Sequence, residues 1–153
     1  MTEARALQDQ LRHQAAHDTL TGLANRALFG ERLATAGAAG VAAVLLIDLD
    51  DFKSINDTYG HHVGDAVVTS VARLLRTCVP DGGVPARLGG DEFAVLLPGM
   101  DEAAARLLVA RFHALLDEPM LLEGAVAGGG SVGVVAGEPD DPQALLRRAD
   151  AAM

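Results

Sequence analysis

The apolar and polar positions along the chain predict several short strands. Val41 to Ile47 form an apolar run that suits a strand covered on both faces. Two further apolar segments, Val84–Leu88 and Phe93–Leu97, flank a Gly-Gly pair. This arrangement predicts a hairpin, because glycine adopts positive φ at little cost. We also expect a short strand near Met120–Leu122 and a glycine-rich strand around Ala125–Val135.

Between these runs, apolar residues recur at helical spacing and predict five helices. They are expected over residues 3–16, after an Asn25 N-cap through Ala36, over Asp65–Thr77, from an Asp101 N-cap through Leu116, and from Pro142 to the end. The order strand-helix-strand-strand-helix-strand predicts an α+β fold of the ferredoxin-like (βαββαβ) kind, with a central antiparallel sheet flanked by helices.

Carboxylates gather where two of these strands end. Asp48, Asp50 and Asp51 follow the first apolar run, and the Gly-Gly turn presents Asp91 and Glu92. If the two strands are antiparallel neighbours, we expect Asp48 and Asp91 to face each other. Two carboxylates that converge without a basic partner repel each other unless a divalent cation lies between them.

Composition narrows the possible partners and compartment. The formal net charge of −9 over 153 residues argues against nucleic-acid and anionic-membrane binding, and we expect neither partner. No secretory signal opens the chain and no apolar run approaches the ~20 residues that a bilayer requires. The single Cys78 fits a reducing compartment, so we predict a cytoplasmic protein. The only lysine, Lys53, lies within the acidic motif, which favours a chemical role over a solvated surface position.

Four segments, taken together and in order, resemble a GGDEF domain, the catalytic domain of diguanylate cyclases. They are Asp18–Arg26 (DTLTGLANR), Asp48–Asp65 (DLDDFKSINDTYGHHVGD), Gly89–Phe93 (GGDEF) and Ser131–Val134 (SVGV). The resemblance implies a nucleotidyl cyclase, palm-like version of the predicted fold. It places the catalytic domain at residues 18–153, after a linker or stalk helix at residues 1–17. A frayed terminal helix is an equally open interpretation of residues 1–17.

The resemblance also implies an activity: a homodimer condenses two GTP molecules into cyclic di-GMP and two pyrophosphates. It assigns Asp48 and Asp91 as metal ligands, with the Leu49 carbonyl and with Glu92 as a possible helper. Hard oxygen ligands of this kind suit Mg²⁺ or Mn²⁺. Asp91 is also the family's presumed proton acceptor, with Glu92 beside it, and Lys53 would stabilise the transition state.

Substrate contacts follow from the same match. Asn56 and Asp65 correspond to guanine-reading positions, and His61 to another substrate contact. The backbone of the turn containing Asp51 and Phe52, through Lys53, is expected to bind the β- and γ-phosphates near a helix N-terminus. Arg26 is open between a substrate contact and a structural salt bridge.

The sequence departs from the family pattern at two places. The family's inhibitory product site, Arg-x-x-Asp, falls here on Pro80–Gly83 and lacks both charged residues. We therefore expect no product feedback through this loop. The second departure is at the end of the chain, where family members continue with a Tyr, a Lys and an Arg. We expect a domain truncated at its C-terminus, within a protein that carries an upstream sensor, a downstream domain or both. The alternative function is a catalytically weak GTP-binding module that regulates a companion phosphodiesterase domain.

Overall fold

The computed structural model describes residues 3–40, 42–116, 120–122, 125–127, 130–137 and 147. In chain order, its elements are α1 (Glu3–Ala16), α2 (Arg26–Ala39), β1 (Ala42–Leu49), α3 (Phe52–Tyr59), α4 (His61–Cys78), β2 (Val84–Gly89), β3 (Glu92–Pro98), α5 (Glu102–Leu116), β4 (Met120–Leu122), β5 (Ala125–Ala127) and β6 (Gly130–Gly137).

Four strands form the main sheet in the order β2-β3-β1-β6, and every neighbouring pair is antiparallel. Strand β1 is therefore central, flanked by β3 on one side and β6 on the other. Helices α3 and α4 connect β1 to β2, and α5 lies between β3 and β6 in the chain. This is the predicted βαββαβ arrangement, so the ferredoxin-like prediction is confirmed. Strands β4 and β5 pair separately as a two-stranded hairpin.

Both faces of β1 are covered, as its continuous apolar sequence predicts. Leu45 and Ile47 pack on one face with residues of α4 and α5, in a cluster that includes Phe93 and Phe112. The residues that alternate with them pack on the other face against α2. The sheet is thus held rigidly between two helical layers, and the polar end of β1 emerges from a fixed core.

The predicted helix starts are correct at two capping residues. Asn25 accepts a hydrogen bond from the Leu28 amide at 3.0 Å, and Asp101 accepts one from the Ala104 amide at 2.9 Å. Cys78 is buried, as expected of a small apolar residue at a helix end.

Other boundaries differ from the sequence expectation. The helix expected to begin at Asp65 begins one turn earlier, at His61, and a separate helix, α3, lies between β1 and this helix. The expected strand over Ala125–Val135 is divided into β5 and β6. Leu107, an apolar residue of α5, is 77% exposed. The helix expected after Pro142 lies outside the described residues apart from position 147.

Helix α1 exposes the two leucines of its thin apolar seam. Leu7 is 57% exposed and Leu11 is 56% exposed. Among the described helices, none has the length and hydropathy needed to cross a membrane.

Candidate active site

The acidic end of β1 meets the glycine turn between β2 and β3. Asp48 lies opposite Glu92 in the β1–β3 register, and the next residue, Leu49, donates its backbone N–H to the Asp91 carbonyl at 3.2 Å. The side chains of Asp48 and Asp91 approach within hydrogen-bonding reach. The predicted convergence of these two carboxylates is therefore present in the fold.

This convergence changes the acidity of Asp48. Its pKa rises from 3.8 to about 6, first because burial disfavours the charged form. The hydrogen bond with Asp91 raises it further, and so do the negative charges of Asp91, Glu92 and Asp50. All four groups carry the same sign, so the site is strongly attractive to a cation.

The carboxylates at this site fit a divalent ion that is shared with a ligand. Within the described ranges, no three His, Cys, Asp or Glu side chains are grouped closely enough to hold a metal by themselves. Mg²⁺ commonly takes one or two carboxylates and completes its shell with substrate phosphates and water. Asp48 and Asp91 supply two such carboxylates, so the donor set suits a metal that arrives with a phosphorylated substrate.

Glu92 has a partner on the other side of the turn. Its carboxylate lies 3.9 Å from the Arg26 guanidinium, and both side chains are substantially exposed. A pair of this kind contributes little stability. The pair favours the salt-bridge interpretation of Arg26. Glu92 remains partly exposed and close to Asp48.

The turn that leads into α3 has an unusual backbone. Asp51 adopts φ +56° and is the one non-glycine residue with positive φ in the described part of the chain. It precedes α3 without a side-chain cap, so the amides at the start of that helix are not capped by its carboxylate. Lys53 is exposed beside this turn. The ring of Phe52 is half-buried against the core, so any substrate contact there falls to its backbone.

The predicted guanine-reading residues lie where α3 meets α4. Asn56 packs beside Gly64, so closely that a side chain on Gly64 would overlap the Asn56 amide. The Asn56 Oδ1 is buried and has no hydrogen-bond partner. His61 and Asp65 are exposed and stand one turn apart on α4. Asn56, His61 and Asp65 therefore lie together at the junction of α3 and α4, which follows β1 and the turn at Asp51 in the chain.

Sequence reasoning did not single out Arg87. This residue precedes the glycine turn, and its side chain donates to the Gly90 carbonyl and to the Asp18 carboxylate. The available signal was a lone arginine two residues before the turn in an otherwise uncharged strand. Its partner lies 69 positions away in the chain, so the pairing has no local signature.

Comparison with known proteins gives a consistent result. The family model described as "Diguanylate cyclase, GGDEF domain" matches residues 15–153. The chain is 38% identical to a probable diguanylate cyclase, DgcE, of Escherichia coli, with 99% of this chain and 15% of that protein aligned. It is 41% identical to the diguanylate cyclase TpbB of Pseudomonas aeruginosa, with 96% of this chain and 37% of that protein aligned. The chain thus spans well under half the length of these relatives.

Solved structures agree with the sequence comparison. A sensory box/GGDEF family protein from Caulobacter crescentus superposes with a TM-score of 0.80 at 42% identity. The match covers 90% of this chain and 94% of that one.

Proposed function

Because the chain belongs to the GGDEF family of diguanylate cyclase domains, we propose that it condenses two GTP molecules into cyclic di-GMP and two pyrophosphates. The observation that carries this proposal is the meeting of Asp48 and Asp91 where β1 ends; in the described part of the chain, burial apart, the charges that raise the pKa of Asp48 are those of Asp91, Glu92 and Asp50, all of them acids. Arg26 pairs with Glu92 at the exposed side of the turn, and Arg87 donates to the Gly90 carbonyl.

Asp48 and Asp91 would hold Mg²⁺ or Mn²⁺, together with the Leu49 carbonyl. Such an ion would offset the charge on the phosphates and on the departing pyrophosphate. Asp91 would also accept the proton of a ribose 3′-hydroxyl, either directly or through water. The 3′-oxygen then forms a bond to the α-phosphorus of the second nucleotide, and the α–β bridging P–O bond breaks.

Lys53 and the turn before α3 would act on the phosphates. Lys53 is a compact point charge on a flexible stem, suited to charge that develops in the transition state. The uncapped amides after Asp51 are donors for the β- and γ-phosphate oxygens. These amides lie next to the end of β1, which supports one binding site in which the phosphate chain of GTP extends from the amides to Asp48.

Asn56, Asp65 and His61 would select the nucleotide. An Asp65 carboxylate can accept hydrogen bonds from guanine N1–H and N2–H₂, which adenine cannot offer in the same pattern. The unpartnered Oδ1 of Asn56 supports a role in binding, because a buried polar atom without a partner costs free energy until a ligand satisfies it.

Each domain would bind one GTP, so the reaction needs two domains facing each other. We propose a homodimer as the active form. The relatives are several times longer than the matched region, which supports a larger parent protein with a sensor or a further domain.

The test is incubation with GTP and Mg²⁺, with mass spectrometry of the products. Cyclic di-GMP should form, and Asp91→Asn should reduce its rate by at least about 100-fold, as expected when a group that both binds metal and accepts the proton is neutralised. The matched control is Asp81→Asn, an exposed acid in the loop before β2, which should leave the rate unchanged.

The same assay separates the alternative. GTP binding by calorimetry without any product, at concentrations where the protein is dimeric, would reject the cyclase and favour a regulatory GTP-binding module.

A further inference from the structure

The side chain of Arg87 joins two segments that are far apart in the sequence. Its Nε and Nη2 donate to the Gly90 carbonyl at 3.2 and 2.9 Å. Its Nη1 donates to both carboxylate oxygens of Asp18 at 3.2 and 3.3 Å. The Arg87 and Asp18 side chains are only 15% and 19% exposed, so solvent and salt screen this pair far less than a surface ion pair.

Asp18 is itself held in place before it meets Arg87. One of its carboxylate oxygens accepts hydrogen bonds from the Thr21 amide at 2.9 Å and the Thr21 hydroxyl at 2.8 Å. Burial opposes the charge of Asp18, but these hydrogen bonds and Arg87 together hold its pKa below 3.8. Asp18 is therefore a fixed anion at neutral pH, and a firm anchor for the guanidinium.

Arg87 also holds the Gly89–Gly90 turn, a segment whose backbone is flexible when nothing else restrains it. Gly89 and Gly90 both have positive φ, at +157° and +45°, and the register of the hairpin shifts between Arg87 and Gly89. A pair of glycines has many accessible conformations. The Gly90 carbonyl belongs to the peptide that joins Gly90 to Asp91, so fixing this carbonyl fixes the start of Asp91.

Asp91 is thus held on both sides. Arg87 holds the peptide before it, and the Leu49 amide holds its own carbonyl at 3.2 Å. The hydrogen bond from Leu49 joins the turn to β1. The hydrogen bonds from Arg87 join the turn, through Asp18, to the segment after α1. We propose that Arg87 is a positioning residue that fixes Asp91 against Asp48 and couples the glycine turn to the end of α1.

The coupling to α1 follows from backbone contacts. The side-chain Nδ2 of Asn25 donates to the Ala15 carbonyl at 2.6 Å, and the backbone N–H of Asn25 donates to the Ala16 carbonyl at 2.9 Å. The Arg87 amide donates to the Ala24 carbonyl at 2.9 Å. A displacement of the last turn of α1 therefore moves Asp18 and the strand that carries Arg87. This makes the contact between Arg87 and the glycine turn a route by which motion of the helix reaches the carboxylates.

The test compares Arg87→Gln, Arg87→Lys and Asp18→Asn with a matched control, Arg106→Gln. Arg106 forms an exposed ion pair with Glu102 on α5, so the control makes the same chemical change away from the turn. The first measurement is amide hydrogen exchange. The Leu49 amide donates to the Asp91 carbonyl, so its exchange should rise at least about 10-fold in Arg87→Gln, which is the opening expected from losing about 1.4 kcal/mol locally. Exchange in the core of β1 should not change.

The second measurement is kinetic and rests on the proposed function. In Arg87→Gln, kcat should fall by roughly 100-fold while KM for GTP changes by no more than about twofold, because a displaced Asp91 affects the reacting geometry more than binding. Arg87→Lys keeps the positive charge opposite Asp18, but an ammonium group cannot bridge Asp18 and the Gly90 carbonyl as a planar guanidinium does. Its thermal stability should therefore match that of the unaltered protein, while its kcat should be reduced as in Arg87→Gln. Asp18→Asn keeps the Thr21 contacts and should show the same changes, smaller in size.

Two results would overturn the proposal. One is unchanged exchange of the Leu49 amide in both Arg87→Gln and Arg87→Lys. The other is a rate loss that merely follows thermal stability, with Arg87→Lys fully active. If the unaltered protein makes no cyclic di-GMP, the proposed function fails, while the exchange comparison still decides whether Arg87 orders the turn.

Discussion

At the scale of single residues, the charge of Asp48 opposes folding when no metal is bound. The pKa of Asp48 is about 6 in the folded protein and close to 3.8 in the unfolded chain, so the folded state binds the extra proton between these values. The stabilising effect of that proton is fully present below pH 3.8 and is lost as the pH rises through 6. Above pH 6, the ionised Asp48 therefore destabilises the metal-free fold.

Replacing Asp48 by Asn should remove this effect. In chelator-treated protein at pH 7.5, we expect Asp48→Asn to be more stable by roughly 1 kcal/mol, a value reduced from the full pKa shift because the carboxylate is only half-buried and screened. At pH 4 the two proteins should be nearly equal in stability. Urea unfolding at both pH values measures the difference, and an equal difference at both would show that the charge of Asp48 is not responsible.

Gly64 should be required for the position of Asn56. A Cβ at Gly64 would overlap the Asn56 amide, so Gly64→Ala must move that side chain. We expect KM for GTP to rise about 10-fold, the value of one lost hydrogen bond, with a smaller change in kcat. The control is Gly30→Ala on α2, where the added methyl group meets no atom within 4 Å. Alanine favours a helix at both positions, so a loss confined to Gly64→Ala identifies the overlap as its cause.

At the scale of elements, the strands were easier to predict than the helix after β1. The central residues of β1 and β3 are buried, and both strands are therefore continuous apolar runs in the sequence. Such runs are enough to predict the two strands. Helix α3 contains no fully buried residue; it packs on the core through Phe52 and Ile55, both partly exposed. Phe52 and Ile55 do stand at helical spacing, but so short a segment of mostly polar and turn-forming residues is not enough to identify a helix in a sequence. Gly60, at φ +90°, then separates α3 from α4.

The loop before β2 should be unable to serve as a product site. Gly82 has φ +88°, and the Gly83 amide donates to the Pro80 carbonyl at 3.0 Å, which makes a tight turn. A side chain on Gly83 would overlap Val79, so the aspartate expected at this position in the family does not fit without rearrangement.

We therefore expect cyclic di-GMP at tens of times the GTP concentration to inhibit only by competing at the active site. Gly83→Asp should destabilise the fold by about 1–3 kcal/mol, as overpacking does, without creating feedback. Asp81→Ala in the same loop is the control and should change neither property. Non-competitive inhibition of the unaltered protein that is lost in Asp81→Ala, or non-competitive inhibition that appears in Gly83→Asp, would contradict this prediction. Initial rates at several GTP concentrations distinguish the two kinds of inhibition.

At the scale of the whole molecule, the sequence predicts the sheet but not the contacts that tie its edge to the N-terminal segment. The order of strands and helices, with the GGDEF resemblance, is enough to place Asp48 beside Asp91. The contact of Arg87 with Asp18 joins residues whose surroundings contain no shared pattern, since one lies in a turn and the other in a strand. Such a pairing depends on how α1, α2 and β2 are arranged in space, and this arrangement is settled by packing of the complete core.

The exposed leucines of α1 give the last prediction, which concerns the association of two chains. An isolated helix gains little from Leu7 and Leu11 when both are more than half exposed. If two α1 helices pair along this seam, the double variant Leu7→Gln with Leu11→Gln should raise the protein concentration needed for half-maximal specific activity by at least about 10-fold, because two apolar side chains per helix lose their burial. Binding of GTP to each domain should not change. The control is Gln8→Ala with Gln10→Ala on the same helix, and sedimentation measures the dimer directly. Equal concentration dependence in both variants would favour the alternative of a frayed terminal helix, because the seam would then contribute nothing to bringing the two active sites together.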